Sequence, residues 1–158
     1  MAVRGCTFAT VMKKLGSTSD FTEARDKELL RAVRRLVMDP RCKSMTEVYA
    51  QAVTEPCSRF WVSERRAAEV ISKMLRGVDP DWKSVPLRRK MYQELCRRVI
   101  AWREENPGHP LSDAVFAAVN SQAPEFYLTP ESAMVIVSRI MKRNAERRRA
   151  AGQEINNH

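Results

Sequence analysis

The sequence predicts an all-α protein in which a three-helix unit occurs twice, at an offset of 66 residues. Strong helix formers such as Ala, Arg, Glu, Leu and Met are frequent, Gly occurs only 5 times, and long alternating strand patterns are absent. Residues 28–76 align without a gap on residues 94–142, and 21 of the 49 pairs are identical or conservative. The matches fall on the apolar phase of three successive segments, which predicts a tandem duplication.

An aromatic phrase marks the repeat. "RFWVSERRAAEVISKML" occupies residues 59–75, and "EFYLTPESAMVIVSRIM" occupies residues 125–141. Phe60 and Phe126 each precede the start of a predicted helix, where a bulky residue packs on the turns that follow. We expect both phenylalanines in the core. The aromatic residue after each of them is expected to be buried in part, with a polar edge exposed.

The first unit, residues 21–77, contains three predicted helices. Apolar residues at helical spacing predict the first helix over residues 22–38, and the proline that follows ends it because proline excludes the preceding residue from helical geometry. A short second helix covers residues 45–53. Ser63 caps the third helix. Five apolar residues of that helix follow the i, i+3, i+4, i+7, i+8 pattern and form one amphipathic stripe.

The second unit, residues 87–143, has the same order. Its first helix covers residues 87–106 before a Pro–Gly pair, and its second covers residues 111–121. Thr129 caps the third helix, with proline in the first turn. This helix is apolar nearly all round as far as Arg139, so we expect it to be buried on two sides, against the first unit or against a partner.

Three shorter segments complete the predicted organisation. Residues 1–20 form an N-terminal arm, and residues 78–86 form a proline-containing linker between the units. Residues 144–158 form a basic and polar C-terminal tail. We expect the last helix to extend briefly through Arg149 and the rest of the tail to be disordered.

Charge is the main indication of function. The chain has 28 Lys and Arg against 19 Asp and Glu, a net charge of +9. Such an excess suits a polyanionic partner, most often nucleic acid, although a merely basic surface is the alternative. Residues 1–77 carry a net +6 and residues 78–143 a net +2. The first unit is therefore the better candidate for binding nucleic acid.

The sequence contains no constellation typical of catalysis or of a metal site. The four cysteines include no CxxC pair, and the only histidines are His109 and His158, so neither a zinc site nor a disulfide framework is expected. Cys96 is expected in the core, and Cys42 and Cys57 in loops. No stretch approaches the roughly 20 apolar residues of a membrane span. We expect a cytoplasmic protein that is not an enzyme, uses no cofactor or metal, and binds no membrane.

A short second helix and a capped, amphipathic third helix resemble the trihelical helix-turn-helix class, such as homeodomain-like and Myb-like DNA-binding modules. The resemblance covers residues 22–76 and 88–143 as a pattern. It implies that the third helix of the first unit reads DNA through its solvent face. The residues on that face are Arg65, Arg66, Glu69, Lys73 and Arg76. The remaining residues expected to contact nucleic acid are Lys43, Arg59, Ser63, Arg139 and Lys142.

The leading interpretation is a DNA-binding regulator or accessory factor, with transcription regulation as the expected process and duplex DNA favoured over RNA. One alternative is a helical assembly protein that docks on a larger complex, or forms a homodimer, through the apolar second unit. Another is an RNA-binding accessory protein. Salt-dependent affinity for duplex DNA against single-stranded RNA separates the leading interpretation from the last one.

Overall fold

The computed structural model describes residues 18–78 and 85–156. Within these residues the chain has six helices and no strand, so the predicted all-α class is confirmed for this part of the chain. The predicted arm as far as residue 17, residues 79–84 of the predicted linker, and residues 157–158 lie outside it. The helices are α1 (Thr18–Val37), α2 (Met45–Ala52), α3 (Glu64–Leu75), α4 (Pro86–Glu105), α5 (Leu111–Val119) and α6 (Pro130–Asn156).

Local sequence signals determine where the helices begin and end. Ser63 Oγ accepts a hydrogen bond at 3.1 Å from the backbone N–H three residues later, at the start of α3. Thr129 Oγ1 does the same at the start of α6, also at 3.1 Å. Each side chain satisfies an N–H group that the first turn leaves without a helical partner. Gly77 and Gly108 follow α3 and α4 with φ of 80° and 86°, which glycine adopts without strain at Cβ.

The described helices form two compact units. Unit A comprises Thr54–Tyr127 and the described residues as far as Arg25. In it α3, α4 and α5 pack on one another. The apolar stripe predicted for α3 is buried at the first three of its five positions, and the last two are half-buried. The largest fully buried side chains of unit A are Phe60, Ile71, Leu95, Val99, Val115 and Val119.

Unit B comprises Asp26–Val53 and the described residues from Leu128 onward. In it α2 packs against α6. The buried residues of unit B are aliphatic and come from three helices. They include Leu29, Val33, Leu36, Val48, Ala133 and Val137.

The helices that pack together are not those that follow one another in the predicted three-helix units. The predicted ranges 21–77 and 87–143 follow the sequence, whereas α3 packs with α4 and α5, and α6 packs with α2. A helix-turn-helix motif needs its second and third helices packed together across a tight turn. Here residues 53–63 separate α2 from α3, and the two helices belong to different compact units. The resemblance to the helix-turn-helix class therefore does not extend to this packing.

The C-terminal segment differs from the predicted tail. α6 continues to Asn156, well beyond the expected brief extension through Arg149. Residues 145–151 are all Ala, Glu or Arg, which are strong helix formers, and no proline follows Pro130. The polar and basic composition of this segment suggested a solvated tail, but the same residues also favour continuation of the helix.

One of the cysteines differs from expectation, and a second lies in a loop as predicted. Cys96 is half-buried rather than in the core, and burial raises the pKa of its thiol. Cys57, although it lies between helices, is buried, and its Sγ lies 3.3 Å from the carbonyl oxygen of Glu125. A buried thiol at this position belongs to the contact between two chain segments described below.

Candidate nucleic-acid interface

Two non-helical segments of unit A, residues 54–63 and 120–127, pair with each other next to the start of α3. Cys57 and Ala123 form an antiparallel bridge, in which the Cys57 N–H donates to the Ala123 carbonyl at 3.0 Å and the reverse bond is 2.9 Å long. The Phe60 N–H donates to the carbonyl of Val119, the last residue of α5, at 3.0 Å. Because α3 starts shortly after Phe60, these bonds attach the start of α3 to the end of α5.

The aromatic residues of the two segments stack in reciprocal pairs. Phe60 stacks on Tyr127 with ring centroids 5.9 Å apart, and Trp61 stacks on Phe126 at 6.5 Å. Phe60 and Phe126 are 0% and 3% exposed, so their predicted burial is confirmed. Trp61 and Tyr127 are half-buried, but the exposed polar edge expected of Trp61 is not observed, because its Nε1 is buried without a hydrogen-bond partner among the described residues. Tyr127 has a φ of 55°, uncommon for a residue with a Cβ, and burial raises the pKa of its hydroxyl to about 12.

Arg59 lies in this contact and not on the exposed face of α3. Its guanidinium donates to the carbonyls of Phe60 and Val62, at 3.1 and 2.9 Å, and lies 3.8 Å from the Glu64 carboxylate. It also lies over the ring of Phe21, 5.7 Å from the centroid. Burial lowers the pKa of this guanidinium. Arg59 therefore holds the segment before α3 in place.

The solvent face of α3 carries four basic residues and one carboxylate. Arg65 Nε lies 3.5 Å from one oxygen of Glu69, and Arg66 Nη1 lies 3.3 Å from the other. The two arginine side chains are 92% and 63% exposed, and such solvated pairs contribute about 1 kcal/mol or less. Both guanidiniums therefore remain accessible to an external anion. The exposed residues of this face are Arg65, Arg66, Glu69, Lys73 and Arg76.

Tyr92 of α4 lies near basic residues of both α3 and α4. Burial raises the pKa of Tyr92, whereas Arg66 and Arg88 oppose that shift because both place positive charge near its hydroxyl. Arg88 is exposed, one turn before Tyr92 on α4. It thus adds to the positive charge around Arg66. The run "RRK" at residues 88–90 was the available sequence signal for Arg88.

The other predicted contact residues lie in unit B. Lys43 is exposed before α2, and its backbone N–H donates to Glu47 at 2.7 Å. Arg139 and Lys142 are exposed on α6. Ser63 and the α3 residues, by contrast, lie in unit A. The predicted set is therefore divided between two compact units.

α6 carries further exposed basic residues that were not among the predicted contact residues. They follow Lys142 on the same helix and lie beyond its buried part. The pattern "KRNAERRR" at residues 142–149 was the available sequence signal for them. These residues are Arg143, Arg147, Arg148 and Arg149.

α6 also exposes apolar residues near its start. Met134 and Val135 are 47% and 52% exposed, so the described residues do not bury this side of α6, and its burial against a partner stays a prediction. Unit B covers the side of the helix that carries Ala133 and Val137. One face of α6 therefore presents apolar side chains to solvent.

No group of three or more His, Cys, Asp or Glu in the described residues is arranged to hold a metal ion. None of the described helices is long and apolar enough to span a membrane. Comparison with known proteins gives no matching family model, no matching curated protein and no matching solved structure.

Proposed function

We propose that the protein binds duplex DNA through the solvent face of α3, as a cytoplasmic regulator or accessory factor in a process such as transcription. One observation supports this most directly. Arg65, Arg66, Lys73 and Arg76 are exposed on a helix whose opposite face is buried against α4 and α5. The basic face is thus presented by a supported helix, which limits the entropy cost of binding.

The composition of this face favours the backbone of a duplex over single-stranded RNA. Proteins that bind single strands stack bases on aromatic side chains, and α3 contains no aromatic residue. Arginine and lysine bind phosphate, and arginine also pairs with guanine in the major groove. A helix about 10–12 Å wide fits that groove.

Glu69 is the one carboxylate on the basic face of α3. It pairs with Arg65 and Arg66 and so positions both guanidiniums, but it also removes one charge from the face. A phosphate has to compete with it. Arg59 and Ser63 contribute indirectly. Arg59 holds the segment before α3, and Ser63 caps the first turn of α3, from which the two arginines extend.

The experiment is a titration of the full chain on mixed-sequence duplex DNA at several salt concentrations. The affinity of the wild type should fall steeply with salt, with a slope near −0.9 for each phosphate that it binds. Arg65→Ala/Arg66→Ala should flatten the slope by about one for each phosphate that the variant no longer binds. If one arginine reads a base, binding should weaken by about 1–3 kcal/mol, and only on the preferred sequence.

The matched control is Glu131→Ala/Ser132→Ala, which occupies the equivalent positions of α6 at the 66-residue offset. It should change the affinity little. A double arginine variant that melts like the wild type and binds duplex DNA with unchanged affinity and slope would contradict the proposal. Tighter binding to single-stranded RNA would favour the RNA-binding alternative instead.

The assembly alternative rests on the apolar face of α6. Met134, Val135 and Met141 are 47%, 52% and 57% exposed, which suits a protein partner or a second copy of the chain. Sedimentation of the wild type and of Met134→Ser/Val135→Ser tests it. A wild type that associates and a variant that stays monomeric would favour this alternative.

We infer in addition that the two halves arose by duplication at the 66-residue offset. Cys57 pairs with Ala123, which is the equivalent residue 66 positions later. Phe60 stacks on Tyr127, the equivalent of Trp61, and Trp61 stacks on Phe126, the equivalent of Phe60. Reciprocal contacts of this kind are typical of two copies related by a two-fold axis. The repeated phrase would then exist because each copy packs on the other.

A further inference from the structure

The second half of α6 extends beyond the buried part of unit B. α6 has 27 residues, yet its last buried residue is Val137, and every residue from Ala145 to Asn156 is exposed. At 1.5 Å per residue, the part beyond Val137 is about 28 Å long. Its Ala, Arg and Glu content favours a helix, but packing does not explain its composition.

Basic residues dominate this exposed stretch. Between Arg139 and Arg149 it has six basic residues against one acidic residue, Glu146. Within the described part of the chain, none of the six forms an ion pair with a carboxylate, whereas Arg65 and Arg66 of α3 both do. The six are Arg139, Lys142, Arg143, Arg147, Arg148 and Arg149.

The arrangement of these charges suits a groove with phosphates on both sides. At 3.6 residues per turn, five of the six lie within an arc of about 160° around the helix, and Arg148 lies opposite. The B-DNA major groove is about 12 Å wide and admits a helix between two phosphate backbones. A broad arc of cations reaches both backbones, whereas a narrow stripe would reach one.

Other polyanionic surfaces suit this stretch less well. Residues 138–156 have only three large apolar side chains, Ile140, Met141 and Ile155, so the stretch lacks the broad apolar face of a helix that lies in a membrane surface. α6 contains no aromatic residue on which unpaired bases could stack. The deep, narrow major groove of an RNA duplex does not admit a helix readily.

We propose that residues 139–149 of α6 lie in the major groove of duplex DNA and bind phosphates along both of its walls. This contact rests on the DNA-binding function proposed above, but on none of the α3 residues. It contributes affinity and salt dependence and not sequence specificity, because phosphate contacts carry no sequence information directly.

The test uses the full chain with Arg147→Gln/Arg148→Gln/Arg149→Gln, which removes three charges from exposed positions. Anisotropy titration on mixed-sequence duplex DNA should show a salt slope smaller by up to about 1.8, for the contacts of Arg147 and Arg149, and binding at least about tenfold weaker at low salt. The matched control is Ala145→Gln/Ala150→Gln/Ala151→Gln, which adds side chains to the same exposed stretch without changing its charge. The control should bind like the wild type.

The outcomes separate this site from the proposed function. If the triple Gln variant keeps the wild-type slope and affinity while Arg65→Ala/Arg66→Ala binds weakly and with a flatter slope, the α6 proposal is wrong and the function stands. If the wild type shows no salt-dependent binding to duplex DNA, both are wrong. Parallel titrations use an RNA duplex and vesicles with anionic lipid. If the wild type binds the RNA duplex or the vesicles more tightly than duplex DNA, and the triple Gln variant loses that binding, then duplex DNA is not the ligand of this stretch.

Discussion

α3 and α6 follow the same aromatic phrase in the sequence, yet the structure uses them differently. α3 has 12 residues and lies against α4 and α5, with its apolar stripe buried in unit A. α6 has 27 residues, and only its first part is buried, in unit B. The basic face of α3 includes a carboxylate that pairs with two arginines, whereas the basic stretch of α6 has no ion pair among the described residues.

This difference shows that a local pattern specifies a helix but not its surroundings. Both helices start with a capping hydroxyl and an aromatic residue buried before the cap. Which charges are accessible depends on what covers each helix and on which carboxylates lie within reach. A supported helix with paired charges suits positioned contacts, and an unsupported one with unpaired charges suits general attraction to phosphate.

The largest expected effect concerns the buried phenylalanines. Phe60→Ala and Phe126→Ala should each lower the free energy of unfolding by about 3–5 kcal/mol, because each leaves a cavity in unit A. Met141→Ala, at a 57% exposed position of α6, should cost less than about 0.5 kcal/mol. Denaturant melts measure all three. Comparable losses for the two phenylalanines would support the proposed duplication, and a loss below about 1 kcal/mol for only one would contradict equivalent roles for the two residues.

A smaller effect is expected at the two capping residues. Ser63→Ala and Thr129→Ala should each cost about 1 kcal/mol, since each removes the acceptor of a first-turn N–H. Thermal melts give the size of the loss, and amide hydrogen exchange shows whether it is confined to the first turn of the helix concerned. Equal losses would show that the starts of α3 and α6 are alike. A negligible loss at Thr129 would indicate that the proline after it is sufficient.

The smallest effect distinguishes paired from unpaired charge. Glu69→Gln should raise the affinity for duplex DNA about two- to fivefold. In this variant Arg65 and Arg66 bind phosphate without first breaking their ion pairs with Glu69. Glu146→Gln on α6 should raise it less, since no ion pair has to be broken there. Titration at one moderate salt concentration compares the two variants. A larger gain at Glu146 would reverse the proposed difference between the helices.

Several features of the protein could be predicted from the sequence alone. Helix formers, apolar periodicity and the capping residues Ser63 and Thr129 predicted an all-α chain and the start of each third helix. These signals act within a few residues, so they do not depend on distant packing. The burial of Phe60 and Phe126 was also predictable, because each aromatic residue precedes a capped amphipathic helix. The sequence likewise predicted that Arg65, Arg66, Lys73 and Arg76 are exposed, since they lie opposite the apolar stripe.

Only the tertiary structure decided which helices pack together and which charges stay unpaired. Chain order suggested that α3 belongs with α2, but the bridge between Cys57 and Ala123 brings the start of α3 to the end of α5. The same contact turns Arg59 inward, towards backbone carbonyls that no local pattern reveals. Pairing between segments 66 residues apart depends on hydrogen bonds and ring contacts across the fold. Amphipathic periodicity specifies that a face is buried, but any apolar surface of suitable shape can cover it.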